Sequence, residues 1–180
     1  MEWIKLYGIL LGKQEEAESY FERQIERLDP ILEQENTGKT VAFFSITSNG
    51  SVTVRKSGDY IAKAIELAGG VYVPEGLAEN ESALSTINIQ METFYQEARD
   101  ADVLVYNSAI EADLDTLEQL VSKSAPLADF KAVQSGNVWC TGKSMFQESQ
   151  AVGDIIQDIH GILAEEPPAD GELTYLHRLY

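Results

Sequence analysis

At 180 residues and 44% hydrophobic content, the chain is long enough for one domain with a real core and an added helical arm. Thirty acidic residues against 13 basic ones leave a net charge of −17; the plainest reading is a solvated acidic surface, one that repels phosphate backbones and anionic headgroups and so argues against nucleic-acid binding. The lone cysteine, Cys140, excludes an internal disulfide framework and a cysteine zinc cluster. No apolar run reaches the roughly 20 residues needed to cross a bilayer. The acidic start Met1-Glu2-Trp3-Ile4-Lys5 lacks a secretory n-region, so the chain is expected to be cytoplasmic or part of something longer.

Residues 2–33 read as helix. Trp3, Ile4, Tyr7, Leu10 and Leu11 form one apolar stripe, and Ala17, Tyr20, Phe21, Ile25 and Leu28 a second. Gly12 lies between them, so two helices or one kinked helix both fit. After Asn36-Thr37-Gly38-Lys39, the continuous apolar run from Val41 to Ile46 predicts a strand covered on both faces. Thr47 to Ser51 predicts a turn, and Val52 to Val54 a brief strand. Ser57 is the expected cap of a helix carrying Ile61, Ala64, Ile65 and Ala68. Ala68-Gly69-Gly70 ends that helix and hands over to a strand at Val71-Tyr72-Val73.

A polar, Glu-rich loop is expected to run to Ser85, followed by a helix over 90–98 and a buried strand from Val103 to Tyr106. Leu114, Leu117, Leu120 and Val121 mark another helix. Asn137 to Thr141 is a last short strand and 147–164 a last long helix. Pro167-Pro168 breaks it, and 172–179 is expected to form a small tail helix. Strands alternating with helices predict an α/β fold: a three-layer sandwich with a mostly parallel sheet, preceded by an N-terminal helical connector arm. There is no internal repeat and no low-complexity tract.

No catalytic motif stands out. His160 and His177 fall in predicted C-terminal helices without zinc-binding spacing, and HExxH, CxxC, GxGxxG, Walker and GxSxG patterns are all missing from the sequence. Cys140, beside Trp139 in a predicted strand, reads as a small buried hydrophobe. What remains is a set of polar loops at the carboxyl ends of predicted strands, the edge where open α/β sheets bind ligands. The first offers Thr47, Ser48 and Asn49 with Arg55 just beyond. The second offers Asn107 and Ser108, and the third Thr141, Lys143, Ser144 and Met145 after Trp139. Amides, hydroxyls, a cation or two and an aromatic suit a polar ligand with an apolar body. The competing reading is a set of ordinary polar turns.

Several segments together resemble class III solute-binding proteins of ABC importers. "MEWIKLYGILLGKQEEAESYFERQIERL" resembles their helical connector, and "YIAKAIELAGG" a helix of their C-terminal lobe. "INIQMETFYQEARDADVLVYNS" is similar to a segment in which a Glu opens a helix before an Asp and a buried strand. "DFKAVQSGNVWCTG" and "TYLHRLY" look like the last strand region and tail. The resemblance runs over nearly the whole chain in the right order.

It implies a connector over residues 1–36 and a C-terminal α/β lobe over 37–180, with an N-terminal lobe missing. It implies a protein without enzymatic activity that binds an iron-siderophore, haem or cobalamin and delivers it to an ABC permease. The location implied is the extracellular face of the membrane or the periplasm, with a lipid anchor in the absent part. Ser48, Asn49, Arg55, Asn107, Ser108, Trp139 and Lys143 become ligand-binding candidates. Glu92 falls on the family's permease-docking glutamate; alternatively it only stabilises a helix N-terminus through the macrodipole. Arg55 could meet an anionic ligand or serve as a surface salt-bridge partner. The rival readings are a small α/β enzyme, which lacks an evident acid/base pair, and an acidic protein-interaction module.

Overall fold

The computed structural model describes residues 2–76, 84–109, 113–142, 145, 152–169 and 171–180. Two helices come first, α1 (Trp3–Leu10) and α2 (Gln14–Leu32), so the pattern interrupted at Gly12 is two helices rather than one kinked helix. They cross closely because residue 8 is glycine: a Cβ there would lie 2.4 Å from the Ala17 Cβ. Lys5 closes the contact from above, its Nζ 3.7 Å from the centre of the Phe21 ring.

The strands among the described residues are β1 (Thr40–Ile46), β2 (Val52–Arg55), β3 (Val71–Val73), β4 (Thr86–Ile89), β5 (Val103–Tyr106), β6 (Val138–Thr141) and β7 (Leu176–Arg178). They form one sheet in the order β4-β2-β1-β5-β6-β7, with β3 also on β1. β1 pairs in parallel with β3 and β5, and β5 with β6. β2, β4 and β7 extend this parallel centre by antiparallel pairings.

Covering the sheet are α3 (Tyr60–Leu67), α4 (Met91–Ala98), α5 (Leu117–Lys123), α6 (Lys131–Ser135) and α7 (Val152–Leu163), with a 3-10 helix, Ala125–Asp129, between α5 and α6. Alternation along the central strands divides the core in two. Val41, Phe43, Val103, Val105 and Trp139 face α3, α7 and the end of α2. Ala42, Phe44, Leu104, Tyr106 and Cys140 face α4, α5 and the 3-10 helix. Because both faces are covered, these strands read as continuous apolar runs rather than as alternating ones. The fold is therefore the expected three-layer α/β sandwich.

The Ala68-Gly69-Gly70 handover has two separate causes. Gly69 holds φ +88°, a left-handed conformation that side chains resist. Gly70 is squeezed instead: a Cβ there would sit 3.1 Å from Leu163 Cδ1, 3.2 Å from Ile65 Cγ2 and 3.3 Å from Val41 Cγ2.

Four local expectations need correction. Asp59, not Ser57, caps α3, its carboxylate accepting the Ile61 N–H at 3.0 Å. No strand is expected between Ser85 and the helix at 90, yet Thr86–Ile89 form β4, an edge strand on β2 in which Asn88 accepts a hydrogen bond from the Thr53 hydroxyl at 2.7 Å. Leu114 precedes α5 rather than lying in it, because Thr116 and Gln119 form a capping box that starts the helix at Leu117. The tail is strand, not helix. The buried Asp158 of α7 accepts the N–H groups of Thr174 at 3.1 Å and Tyr175 at 2.6 Å, which holds the chain extended for pairing with β6. Its carboxyl pKa is raised by burial, against the opposing pull of these N–H groups. Of the helix expected over 147–164, the segment 147–151 lies outside the described residues.

Candidate functional site

β1, β3, β5 and β6 run the same way, so their carboxyl ends share one edge. β4 ends there too. It is antiparallel to β2, which is antiparallel to β1, so Ile46, Val52 and Ile89 lie in one row and the chain leaves for α4 from the same edge.

The first loop closes on itself. The Thr47 N–H donates to the Ser51 carbonyl at 2.9 Å and the Gly50 N–H to the Thr47 carbonyl at 2.9 Å. Asn49 Oδ1 accepts the Ser51 N–H at 3.1 Å and the Thr47 hydroxyl. Ser48 and Asn49 are left exposed at the tip. The second loop lies beside it, since the Asn107 N–H donates to the Phe44 carbonyl at 2.7 Å. Asn107 is half-buried and its Oδ1 accepts the Ala109 N–H at 3.1 Å. These three polar residues are the sequence candidates that the fold brings together on an accessible edge.

Other candidates are placed differently. Ser108 is wholly buried; its N–H donates to Thr141 Oγ1 at 3.0 Å, and its hydroxyl lies against the Thr141 carbonyl and Asp113 Oδ1, the latter at 2.8 Å. It joins the second and third loops and turns no surface outward. Asp113, five residues on, is the partner that sequence reading missed. Trp139 is 1% exposed, packed on the α7 side with its Nε1 donating to Asn137 Oδ1 at 2.9 Å. The aromatic expected at the ligand edge is therefore core.

Arg55 is also off the edge. It lies three rows back from Ile46, about 10 Å along the strand, 3.6 Å from the buried Asp59 carboxylate and over the Phe43 ring at 5.7 Å. The salt bridge expected at the surface is instead largely buried, with the two side chains 14% and 3% exposed. Met145 is buried, Thr141 likewise, and Lys143 and Ser144 lie outside the described residues.

The histidines serve the frame. His160 Nδ1 pairs with the Ala68 carbonyl at 3.0 Å at the end of α3. His177 sits in β7 directly across from Cys140, with Nε2 2.7 Å from the Leu114 carbonyl. A hydrogen bond with Cys140, and then the Leu114 carbonyl, raises its pKa to about 9 against the opposing effect of burial. No group of three or more His, Cys, Asp or Glu that could hold a metal occurs among the described residues.

Glu92 occupies the first turn of α4 and is exposed. It lines an open groove of about 620 Å³ between α4 and the 3-10 helix.

No protein-family model matches the chain. Its fold is the one seen in periplasmic binding proteins. The chain superposes on an Fe3+-hydroxamate transport protein of Saccharomonospora viridis with a TM-score of 0.70 at 18% identity, covering 91% of this chain and 54% of that one. A periplasmic haem-binding protein of Vibrio cholerae gives 0.70 at 15% identity, over 87% of this chain and 59% of that one. In sequence, it is similar to an uncharacterized lipoprotein of Methanocaldococcus jannaschii, 31% identical over 168 residues, which is 92% of this chain and 39% of the lipoprotein. The chain thus spans little more than half of these two structures and 39% of the lipoprotein.

Proposed function

We propose that the chain is one lobe of the substrate-binding protein of an ABC importer. It binds a metal-chelate ligand, an iron-siderophore or a relative such as haem or cobalamin, and presents it to the permease. One observation carries the reading: a binding-protein fold that covers about nine-tenths of this chain and little more than half of a known structure. The exposed turns of β1 and β5, side by side on the parallel edge, are where open α/β sheets take ligands. Ser48, Asn49 and Asn107 are the ligand contacts in this proposal, and Lys143 remains a candidate on its place in the sequence. Glu92 is the permease contact.

In the same proposal residues 1–36 form the connector, and further chain of the same protein forms the other half of the cleft. The apolar residues Trp3, Leu6, Tyr7, Ile9, Leu10 and Leu11, all exposed, support a covering partner. The M. jannaschii lipoprotein supports a lipid-anchored location outside the cytoplasm. The ligand brings its own metal, so no resident cofactor is needed.

The test titrates Fe3+-desferrioxamine and haem into this chain and into the longer protein, following tryptophan fluorescence. A half-cleft stays wet and contacts only part of its ligand. The longer protein should bind at least one probe about 100-fold tighter than the chain alone, an increment of about 2.7 kcal/mol. Equal affinities, or no binding of either probe to the longer protein, would overturn the proposal.

A further inference from the structure

The second edge loop is held from outside as well as from within. Its first residues are fixed to strands: the Asn107 N–H donates to the Phe44 carbonyl at 2.7 Å, and the Ser108 N–H to Thr141 Oγ1 at 3.0 Å. Its return limb, residues 113–117, is fixed to the end of the chain. His177 Nε2 lies 2.7 Å from the Leu114 carbonyl. The Tyr180 N–H donates to the Asp115 carbonyl at 3.4 Å, and the Leu117 N–H to the Tyr180 carbonyl at 3.0 Å. Leu114 and Leu179 are buried in the same core layer, which keeps limb and tail together.

The tail reaches the third loop too. The Gly142 N–H donates to the Tyr175 carbonyl at 2.8 Å. Leu176 pairs with Thr141, the residue that receives the Ser108 N–H. The stretch from Tyr175 to Tyr180 thus runs across the base of two of the three edge loops. Of the contacts it makes with the return limb given above, that of His177 comes from a side chain, and the other two run through the backbone. A carbonyl can only accept, so His177 Nε2 carries the hydrogen. The ring is itself held by a hydrogen bond with Cys140, directly across in β6. From Leu114 the path back to the start of the loop is short: the neighbouring Asp113 accepts the Ser108 hydroxyl at 2.8 Å, and Ser108 follows Asn107.

We infer that the C-terminal tail sets the second edge loop, and that His177 is the positioning residue through which it does so. His177 acts on Leu114 rather than on a ligand. It fixes the return of the loop, so that Asn107 is presented in one arrangement before any ligand arrives. A contact already held in its bound arrangement loses less conformational freedom on binding. The first loop is built differently, since Asn49 closes it within its own turn. The inference rests on the reading of Asn107 as a ligand contact and deepens it.

The test sets His177→Phe against His177→Gln. Phenylalanine keeps a ring without a donor. Glutamine keeps an N–H at the position of Nε2 without a ring. Both give up the Cys140 contact, so the difference between them reports the bond to Leu114. Amide hydrogen exchange is followed by NMR in the whole 15N-labelled chain at Ser108, Ala109 and Leu117, whose N–H groups are bonded in and around the loop. Ala68 and Leu104, bonded elsewhere in the core, are the reference amides. His177→Phe should speed exchange at the three loop amides about 10-fold, the effect of one lost hydrogen bond on local opening, and leave the references unchanged. His177→Gln should stay within about 2-fold of the unsubstituted chain. In the longer protein, His177→Phe should weaken binding of Fe3+-desferrioxamine or haem, whichever is bound, about 3- to 10-fold, and His177→Gln should restore it. Should His177→Phe not fold, His177→Leu takes its place.

An equal rise at loop and reference amides would make His177 a general stabiliser and would overturn the inference. No rise in His177→Phe would do the same, as would His177→Gln behaving like His177→Phe. Faster loop exchange with unchanged ligand binding would also overturn it, while the proposed function stands on binding by the unsubstituted longer protein. If that protein binds neither probe, the proposed function fails and takes this inference with it.

Discussion

At the amino ends of the parallel strands, polar side chains tie separate elements together; at the carboxyl ends, those of the first loop close a turn on itself. Asp102 accepts hydrogen bonds from the Thr40 N–H and hydroxyl at 2.8 and 2.9 Å and from Lys131 at 2.6 Å, joining β1, β5 and α6. Lys39 donates to the Leu163 and Ala164 carbonyls at the end of α7, and Asn36 and Thr37 to Gly70 and Gly69. At the opposite end, among the described residues, Asn49 bonds only within its own turn, and Ser48 is exposed. One edge is structural in its chemistry, and the other leaves accessible polar tips. The same residue types therefore mean different things at the two ends of one sheet.

Breaking the core beneath the carboxyl edge should have the largest effect. Trp139→Ala should cost about 3 to 5 kcal/mol in chemical denaturation, the range for a buried large aromatic. A loss under about 1 kcal/mol would return Trp139 to the candidate ligand contacts.

At the amino edge, Asp102→Asn should cost about 1.5 to 3 kcal/mol at neutral pH, the range for hydrogen bonds to a charged group. Burial opposes ionisation of Asp102, but hydrogen bonds from Lys131 and Thr40 outweigh it and lower its pKa below the ordinary 3.8. Its contribution is thus present above about pH 4 and lost as pH falls through the folded value. Wild type and Asp102→Asn should converge in stability there, and a gap that persists in acid would break the electrostatic account.

His177 has the opposite sign. Its pKa is raised to about 9 from 6.5, so its contribution is complete below pH 6.5 and fades as pH rises through 9. It is half-exposed, and solvent screening keeps the effect small. NMR titration should find the imidazole protonated at pH 7.5; a midpoint near 6.5 would mean that the Cys140 and Leu114 contacts are not made in solution. The smallest effect belongs to the tip of the first loop, where Ser48→Ala should shift stability by less than about 0.5 kcal/mol. It should still weaken metal-chelate binding by the longer protein, and unchanged binding would remove Ser48 from the proposed site.

The layer structure was legible because buried parallel strands leave continuous apolar runs, as in Val41 to Ile46 and Val103 to Tyr106. β7 was not, because Leu176 to Arg178 becomes a strand through the Asp158 carboxylate, which holds N–H groups 16 and 17 residues further along the chain, a contact with no local signature. β4 was hidden for a similar reason: an edge strand of four half-exposed or exposed residues carries little pattern. For the candidate site, sequence position pointed to the loop residues Ser48, Asn49 and Asn107, which the fold leaves accessible on one edge. It could not separate them from Ser108 and Trp139, because the turn that decides which side chains face outward depends on partners such as Thr141 and Asp113.

The grip of Asp158 on the tail also limits which sequences the tail can accept. A carboxylate that holds peptide N–H groups is indifferent to the side chains attached to them. Positions 174 and 175 can therefore drift widely so long as the packing of Tyr175 is replaced, and a library randomised there should keep most hydrophobic substitutes at 175 and almost anything at 174. Proline is the exception at both, since it alone lacks the N–H that the carboxylate holds.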